Sequence, residues 1–179
     1  MVAPMTSRQL RTGKECIIPE HCRTETVQRV SVGETDMMGI VHHGNYVAYF
    51  ERGRLEYLRR RGLGYKEFVG RGYHMPVIDL NVRYRKPAYF DDLLRIETRL
   101  GALSRVTVRF NYSVSRPQED GNGAPELLTE GHILLACVDE KSRPRALPED
   151  VVSILFLAEL SQSDDLLIPG SRVDRAGNA

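Results

Sequence analysis

Hydrophobic and polar positions alternate most cleanly late in the chain, where Val106, Val108, Phe110, Tyr112 and Val114 are interleaved with Thr107, Arg109, Asn111 and Ser113. A period of two marks a strand with one face on a core. The same period runs through Ile78, Leu80, Val82 and Tyr84 against Asp79, Asn81, Arg83 and Arg85, a strand that Pro87 ends. It returns in Leu94, Ile96, Thr98 and Leu100, between a turn at Asp91-Asp92 and another at Ser104-Arg105. Glu126 to Asp139 is apolar on both faces toward its end, as a central strand is, and a weaker alternation over Thr24 to Gly33 predicts a strand ahead of all these. Arg116 to Pro125, rich in glycine, proline, asparagine and acids, is the tip of a hairpin.

One segment has a different period. Tyr46, Val47, Phe50, Gly53, Tyr57 and Leu58 share a broad face at 3.6-residue spacing, which predicts a helix from about Asn45 to Arg61 ending at Gly62. Shorter helical pieces are expected over Tyr65–Val69 and Glu149–Phe156. Glycine inside a helix costs about 1 kcal/mol against alanine, so Gly53 on the apolar face implies close approach to a sheet. Arg54 falls on that face too and is expected to pair with a carboxylate. Strand, long helix, then four strands make an α+β arrangement, an antiparallel sheet with a helix on one face.

With 179 residues, 41% of them hydrophobic, the chain can bury one core. The expected domain covers residues 23–157, flanked by poorly ordered extensions at 1–22 and 158–179, where proline, glycine, serine and charge follow no period. A formal net charge of +1 gives no global attraction to nucleic acid or membrane, so anion recognition must be local. Candidates are Arg59-Arg60-Arg61, which reads as a solvated helix end, Arg83/Arg85/Lys86, and Arg143/Arg145. Cys16, Cys22 and Cys137 are too few for a disulfide framework. Cys137 sits in an apolar run that suits the core, and Cys16, His21 and Cys22 lack a fourth ligand, so no metal site is expected. No stretch reaches the apolar length of a membrane span and no apolar leader opens the chain, which leads to the expectation of a cytoplasmic protein.

Candidate chemistry lies where the first strand breaks into the loop before the long helix. Asp36 sits there, a few residues ahead of the unpaired N–H donors of a helix N-terminus. A carbonyl held between them would meet a base or nucleophile on one side and polarising dipoles on the other, an arrangement suited to acyl transfer. Glu51 and Glu56 lie toward the polar side of the helix and read as solvated. No glycine-rich nucleotide fingerprint and no Gly-x-Ser-x-Gly elbow occurs.

Arg29-Val30 followed by Thr35-Asp36-Met37-Met38-Gly39-Ile40 resembles the active-site signature of the 4-hydroxybenzoyl-CoA thioesterase family of hotdog-fold enzymes. His43-Gly44-Asn45-Tyr46 and Phe50-Glu51-Arg52-Gly53-Arg54 resemble the opening of that family's central helix. Lys86-Pro87-Ala88-Tyr89-Phe90-Asp91-Asp92 and the run from Cys137 to Pro148 are similar to its YbgC-type acyl-CoA thioesterases. The resemblance implies a hotdog fold, a sheet wrapped around the central helix, and hydrolysis of an acyl-CoA thioester with no cofactor. It implies Asp36 as general base or nucleophile and the backbone N–H at His43, with Gly44 beside it, as the oxyanion site; the His43 imidazole is a second catalytic candidate. Coenzyme A carries phosphates, for which Arg83, Arg85 and Lys86 at a strand end are the candidate rim. An acyl carrier protein as thioester donor, or a non-catalytic acyl-CoA-binding module, are the alternatives. Hotdog proteins pair free strand edges, so a homodimer or homotetramer is expected.

Overall fold

Strand β1 (Arg23–Arg29) opens the fold, followed by a single 3-10 turn (Val32–Glu34) and helix α1 (Asn45–Arg59). Helix α2 (Tyr65–Gly70) leads into β2 (Val77–Tyr84), β3 (Leu93–Leu103), β4 (Thr107–Arg116) and β5 (Glu126–Ala136), and α3 (Glu149–Leu155) closes it. The computed structural model describes residues 18–118 and 123–160; the remainder of both expected extensions and the loop tip at 119–122 lie outside the described residues. The strands form one antiparallel sheet in the order β1-β3-β4-β5-β2, wrapped on one face around α1. This is the hotdog fold expected from the sequence.

Alternation decides which face is covered. Leu94, Ile96, Thr98 and Leu100 of β3 and Val108, Phe110, Tyr112 and Val114 of β4 are buried beneath α1, whose Tyr46, Tyr49, Phe50, Gly53 and Tyr57 face them. Phe50 stacks on Tyr112 at 4.4 Å between ring centroids, and Tyr57 meets Phe110 edge-on at 5.2 Å. Gly53 is where helix and sheet come closest: a Cβ there would overlap the Thr98 hydroxyl and stand 3.3 Å from Ile96 Cγ2. Cys137 is buried in the same core.

The structure corrects four expectations. Strand β2 has no core face within one chain: Ile78 is 55% and Leu80 41% exposed, and only Val82 is half-buried. A register shift between Val77 and Asp79 also takes Ile78 out of the alternation. Arg61, read as part of a solvated run, has no exposed side-chain surface. Its five N–H donors reach Leu157 O (2.9 Å), Thr24 Oγ1 (2.7 Å), Tyr57 O (3.0 Å), His21 O (3.1 Å) and Arg23 O (3.0 Å), which uses every donor a guanidinium has. The guanidinium also lies 3.6 Å from the Tyr57 ring centroid. Glu56 is not free in solvent but pairs with both Arg59 and Arg60. Finally, order extends beyond 23–157: Cys22 is buried and its carbonyl accepts from Leu100 N at 3.0 Å, while Leu160 N donates to Arg60 O at 2.8 Å.

Arg54 is 12% exposed and its nearest carboxylate, Glu51, stands 3.9 Å away. That is a loose pair, and the Arg54 Nη1 has no partner. Among the described residues no helix is long and apolar enough to cross a membrane, and no group of His, Cys, Asp and Glu could hold a metal.

Candidate active site

The Asp-x-x-Gly spacing is a turn closed on itself. Asp36 N donates to Ile40 O and Gly39 N to Asp36 O, each at 2.9 Å, and the chain can reverse because Gly39 adopts φ +74°, a left-handed conformation that costs glycine nothing. Within the turn Asp36 Oδ1 accepts from Met38 N at 2.8 Å. This is an Asx turn, and it engages only one carboxylate oxygen. Asp36 lines a cleft, and among the described residues it forms no ion pair and its second oxygen accepts no hydrogen bond.

A second turn brings the helix head to that carboxylate. His42 N and the Asn45 Nδ2 both donate to Glu34 O, at 2.9 and 2.7 Å, which ties the start of α1 to the end of the 3-10 turn. The Glu34 carboxylate accepts from Ser31 N at 2.7 Å and Ser31 Oγ at 3.0 Å, a reciprocal cap, and lies 3.7 Å from Arg52 of α1. Burial, and then the nearby Glu34 charge, hold the Tyr49 phenol above its ordinary range. Val41 N donates to Ala88 O at 2.8 Å and Ile40 pairs with Tyr89, so the loop is also fastened to the segment after β2.

The result is a cleft of about 350 Å³ lined by Asp36, Met38, Ile40, Val41, His43, Tyr46, Tyr84, Arg85, Lys86 and Pro87. It brings together Asp36, His43, Arg85 and Lys86 of the residues singled out from sequence. Arg83 lies outside the lining, although it stands 3.9 Å from Glu130, the carboxylate that also pairs with Arg85. Gly44 is the residue before α1, and its N–H already donates to His42 Nδ1 at 3.2 Å. The His42 and His43 rings lie 4.0 Å apart.

His43 N has no hydrogen-bond partner among the described residues, while His42 O accepts from Asn45 N at 2.9 Å. An amide left unspent at the head of a helix, beside a carboxylate with one free oxygen, can polarise a carbonyl while the carboxylate or a water attacks it. On the rim, Arg85 pairs with Glu130 and Lys86 with Glu126. Each basic partner holds its carboxyl below the ordinary range. Both cations therefore have carboxylate partners of their own.

Tyr46 and Tyr84 were not among the sequence candidates. Their rings meet edge-on at 5.5 Å and Tyr84 Oη donates to His43 O at 3.0 Å. The signal was present in outline: Tyr84 is the last inward position of its alternation before Pro87, and Tyr46 directly follows His43-Gly44-Asn45.

Comparison with known proteins identifies the family. The family model of the thioesterase superfamily matches residues 38–121. Acyl-CoA thioester hydrolase YbgC of Escherichia coli O6:H1 is 33% identical over 126 residues, covering 70% of this chain and 90% of the relative. Among solved structures, DHNA-CoA thioesterase from Staphylococcus aureus is 32% identical with a TM-score of 0.64, covering 70% of this chain and 80% of that one. 4-Hydroxybenzoyl CoA thioesterase from Pseudomonas sp. strain CBS-3 is 25% identical with a TM-score of 0.66, covering 74% and 98%. Since a third of the aligned positions are shared across nine-tenths of such a hydrolase, and the fold is shared with solved thioesterases, this chain belongs to the thioesterase superfamily.

Proposed function

We propose that the protein hydrolyses an acyl-CoA thioester to the free acid and coenzyme A, with Asp36 as base or nucleophile and the His43 N–H as oxyanion donor. The observation that carries this reading is the convergence, in one cleft, of a carboxylate with an uncommitted oxygen and an amide with no internal partner. As general base, Asp36 takes a proton from water while the water oxygen bonds to the thioester carbon. The carbonyl oxygen becomes an oxyanion at the His43 N–H; collapse breaks the C–S bond, and the proton passes from Asp36 to the departing thiolate. As nucleophile, Asp36 bonds to the same carbon and expels the thiolate, and water then cleaves the mixed anhydride. Both routes use one geometry. A donor of this kind is typically worth about 2.7–4 kcal/mol at the transition state.

Arg85 and Lys86 at the mouth supply positive charge for the coenzyme phosphates, exchanging Glu130 and Glu126 for the ligand. The working unit is a pair of chains joined along β2, a reading supported by the free edge and the exposed Ile78 and Leu80. An acyl carrier protein as donor would leave the reacting atoms unchanged, so both donors belong in the assay.

The test is a thiol-release screen with short, long, branched and aromatic acyl-CoAs and an acyl carrier protein thioester. Asp36→Asn keeps the shape and removes the charge, so kcat on the best substrate should fall by roughly 10²–10⁴-fold with little change in substrate affinity. Near-native turnover by Asp36→Asn would overturn the assignment. Single-turnover hydrolysis in ¹⁸O water that places label in Asp36 favours the anhydride route over the general-base route.

A further inference from the structure

The head of α1 carries two consecutive peptide planes that share the His43 Cα, and each is pinned at named atoms. A peptide unit is planar, so holding its carbonyl also fixes the direction of its N–H on the opposite edge. In the first plane His42 O is held by Asn45 N at 2.9 Å, which leaves the His43 N–H pointing away without a partner. In the second, Gly44 N is held by His42 Nδ1 at 3.2 Å and His43 O by Tyr84 Oη at 3.0 Å. Three of the four polar groups in these planes are therefore occupied. The bonds from Asn45 and His42 come from the same short stretch of chain. Tyr84 alone arrives from the sheet, 41 residues away.

We infer that Tyr84 is a positioning residue for thioester hydrolysis: by donating to the His43 carbonyl it fixes the second plane, and with it the His43 Cα that hinges the two planes and carries the imidazole at the cleft. The inference rests on the proposed acyl-CoA hydrolysis at Asp36 and His43. Tyr84 does not act on the reacting atoms itself. Its ring is braced edge-on against Tyr46, which is in turn braced against Tyr49 at 5.7 Å between centroids, so the hydroxyl has a fixed origin from which to reach. Burial moves the Tyr84 phenol above its usual range, which keeps it a protonated donor across the pH range in which a thioesterase is assayed. Without that donor the second plane keeps only the Gly44 N–H bond to His42, and its turning shifts the His43 Cα at which the first plane, with the His43 N–H, is hinged. A misplacement of about 1 Å at a reacting group costs up to 10²-fold in rate, so loss of one of three restraints should cost on the order of tenfold.

Tyr84→Phe removes one oxygen and keeps the ring. Its kcat on the best acyl-CoA should fall about tenfold, with KM within about twofold and an unchanged melting temperature. Placing p-aminophenylalanine at position 84, which restores a donor on the same ring, should recover most of the loss; a purely packing role would not distinguish it from phenylalanine. Infrared spectra of a ¹³C-carbonyl acyl-CoA bound to Asp36→Asn give a second readout. The thioester carbonyl band should be shifted to low frequency by the amide, and should move back toward its free position in Asp36→Asn/Tyr84→Phe. Wild-type kcat in Tyr84→Phe, or a carbonyl band that does not move, overturns the positioning role while leaving the hydrolase reading intact. A wild-type protein that releases no thiol from any acyl-CoA defeats both.

Discussion

Replacing Gly53 by alanine sets two known magnitudes against each other. In an exposed helix interior the change would stabilise by about 1 kcal/mol. At Gly53 the new methyl would overlap Thr98 Oγ1, stand 3.3 Å from Ile96 Cγ2 and 3.6 Å from Thr98 Cβ. Neither neighbour can yield easily, because both are β-branched, stiff at χ1, and buried on a strand paired on both sides. The helix must instead lift, which also opens the 4.4 Å stack of Phe50 on Tyr112. An overlap this severe belongs in the upper part of the roughly 1–3 kcal/mol that overpacking costs, about 2–3 kcal/mol, so after the helix gain the net loss should be about 1–2 kcal/mol. At 2–4 °C per kcal/mol for a chain of this length, that lowers the melting temperature by about 2–8 °C, measurable by circular dichroism. Thr98→Ala removes the obstructing hydroxyl, which is buried without a partner, and in the double variant it should restore most of the loss. A coupling of about 1 kcal/mol or more is expected for residues in contact. Gly53→Ala melting at or above wild type, or strict additivity in the double variant, would refute the close-approach argument.

Arg61→Met strands four carbonyls and the Thr24 hydroxyl, and should lower stability in urea by about 3–5 kcal/mol, with Arg61→Lys intermediate because an ammonium offers three donors to five acceptors. The exposed Arg59→Met is the control at within about 0.5 kcal/mol, and equal effects at the two positions would contradict the buried clasp. Leu80→Lys places a charge on the free β2 edge; the wild type should sediment as a dimer or larger and the variant as a monomer with reduced turnover. A wild-type monomer active at micromolar concentration would remove the paired-edge reading.

The elements most legible in the sequence were those whose burial is settled by neighbours within the same sheet. The alternations through Ile96 and Phe110 match their buried faces, and Gly53 announced the helix-to-sheet contact because a helix tolerates glycine there only for a steric reason. Strand β2 carried an equally clear alternation, yet alternation marks a face suited to burial and does not say whether the chain's own helices reach it; here Ile78 and Leu80 stay exposed. Arg61 was illegible for a different reason. Four of its five acceptors are backbone carbonyls, which leave no trace in residue identity, and a run of three arginines looks the same whether its last member points outward or inward. The candidate site segment was legible as Asp36, Gly39 and His43 because a tight turn and a helix head demand particular residues. Its supports were less so: Glu34 holds the helix head through its carbonyl and Tyr84 acts on a carbonyl, so each role depends on partners 8 to 41 residues away rather than on local spacing.

The arginine clasp also fixes where the two ends of the described chain emerge. Nη2 of Arg61 holds the carbonyls of His21 and Arg23 while Nε holds that of Leu157, so one guanidinium touches both ends. It sits just past the last residue of α1, whose 15 residues carry about 22 Å of helix between it and the end beside the cleft. Strand β1, where the chain enters, lies at the opposite edge of the sheet from β2. A chain truncated to residues 18–160 and fused there to a tag, a fluorescent domain or a surface tether would carry it on the side remote from the cleft and from the β2 edge. A short linker from residue 160 to residue 18, with new ends opened at the 119–122 loop, would give a circular permutant that keeps the Asp36 turn, the helix head and the β2 edge uncut.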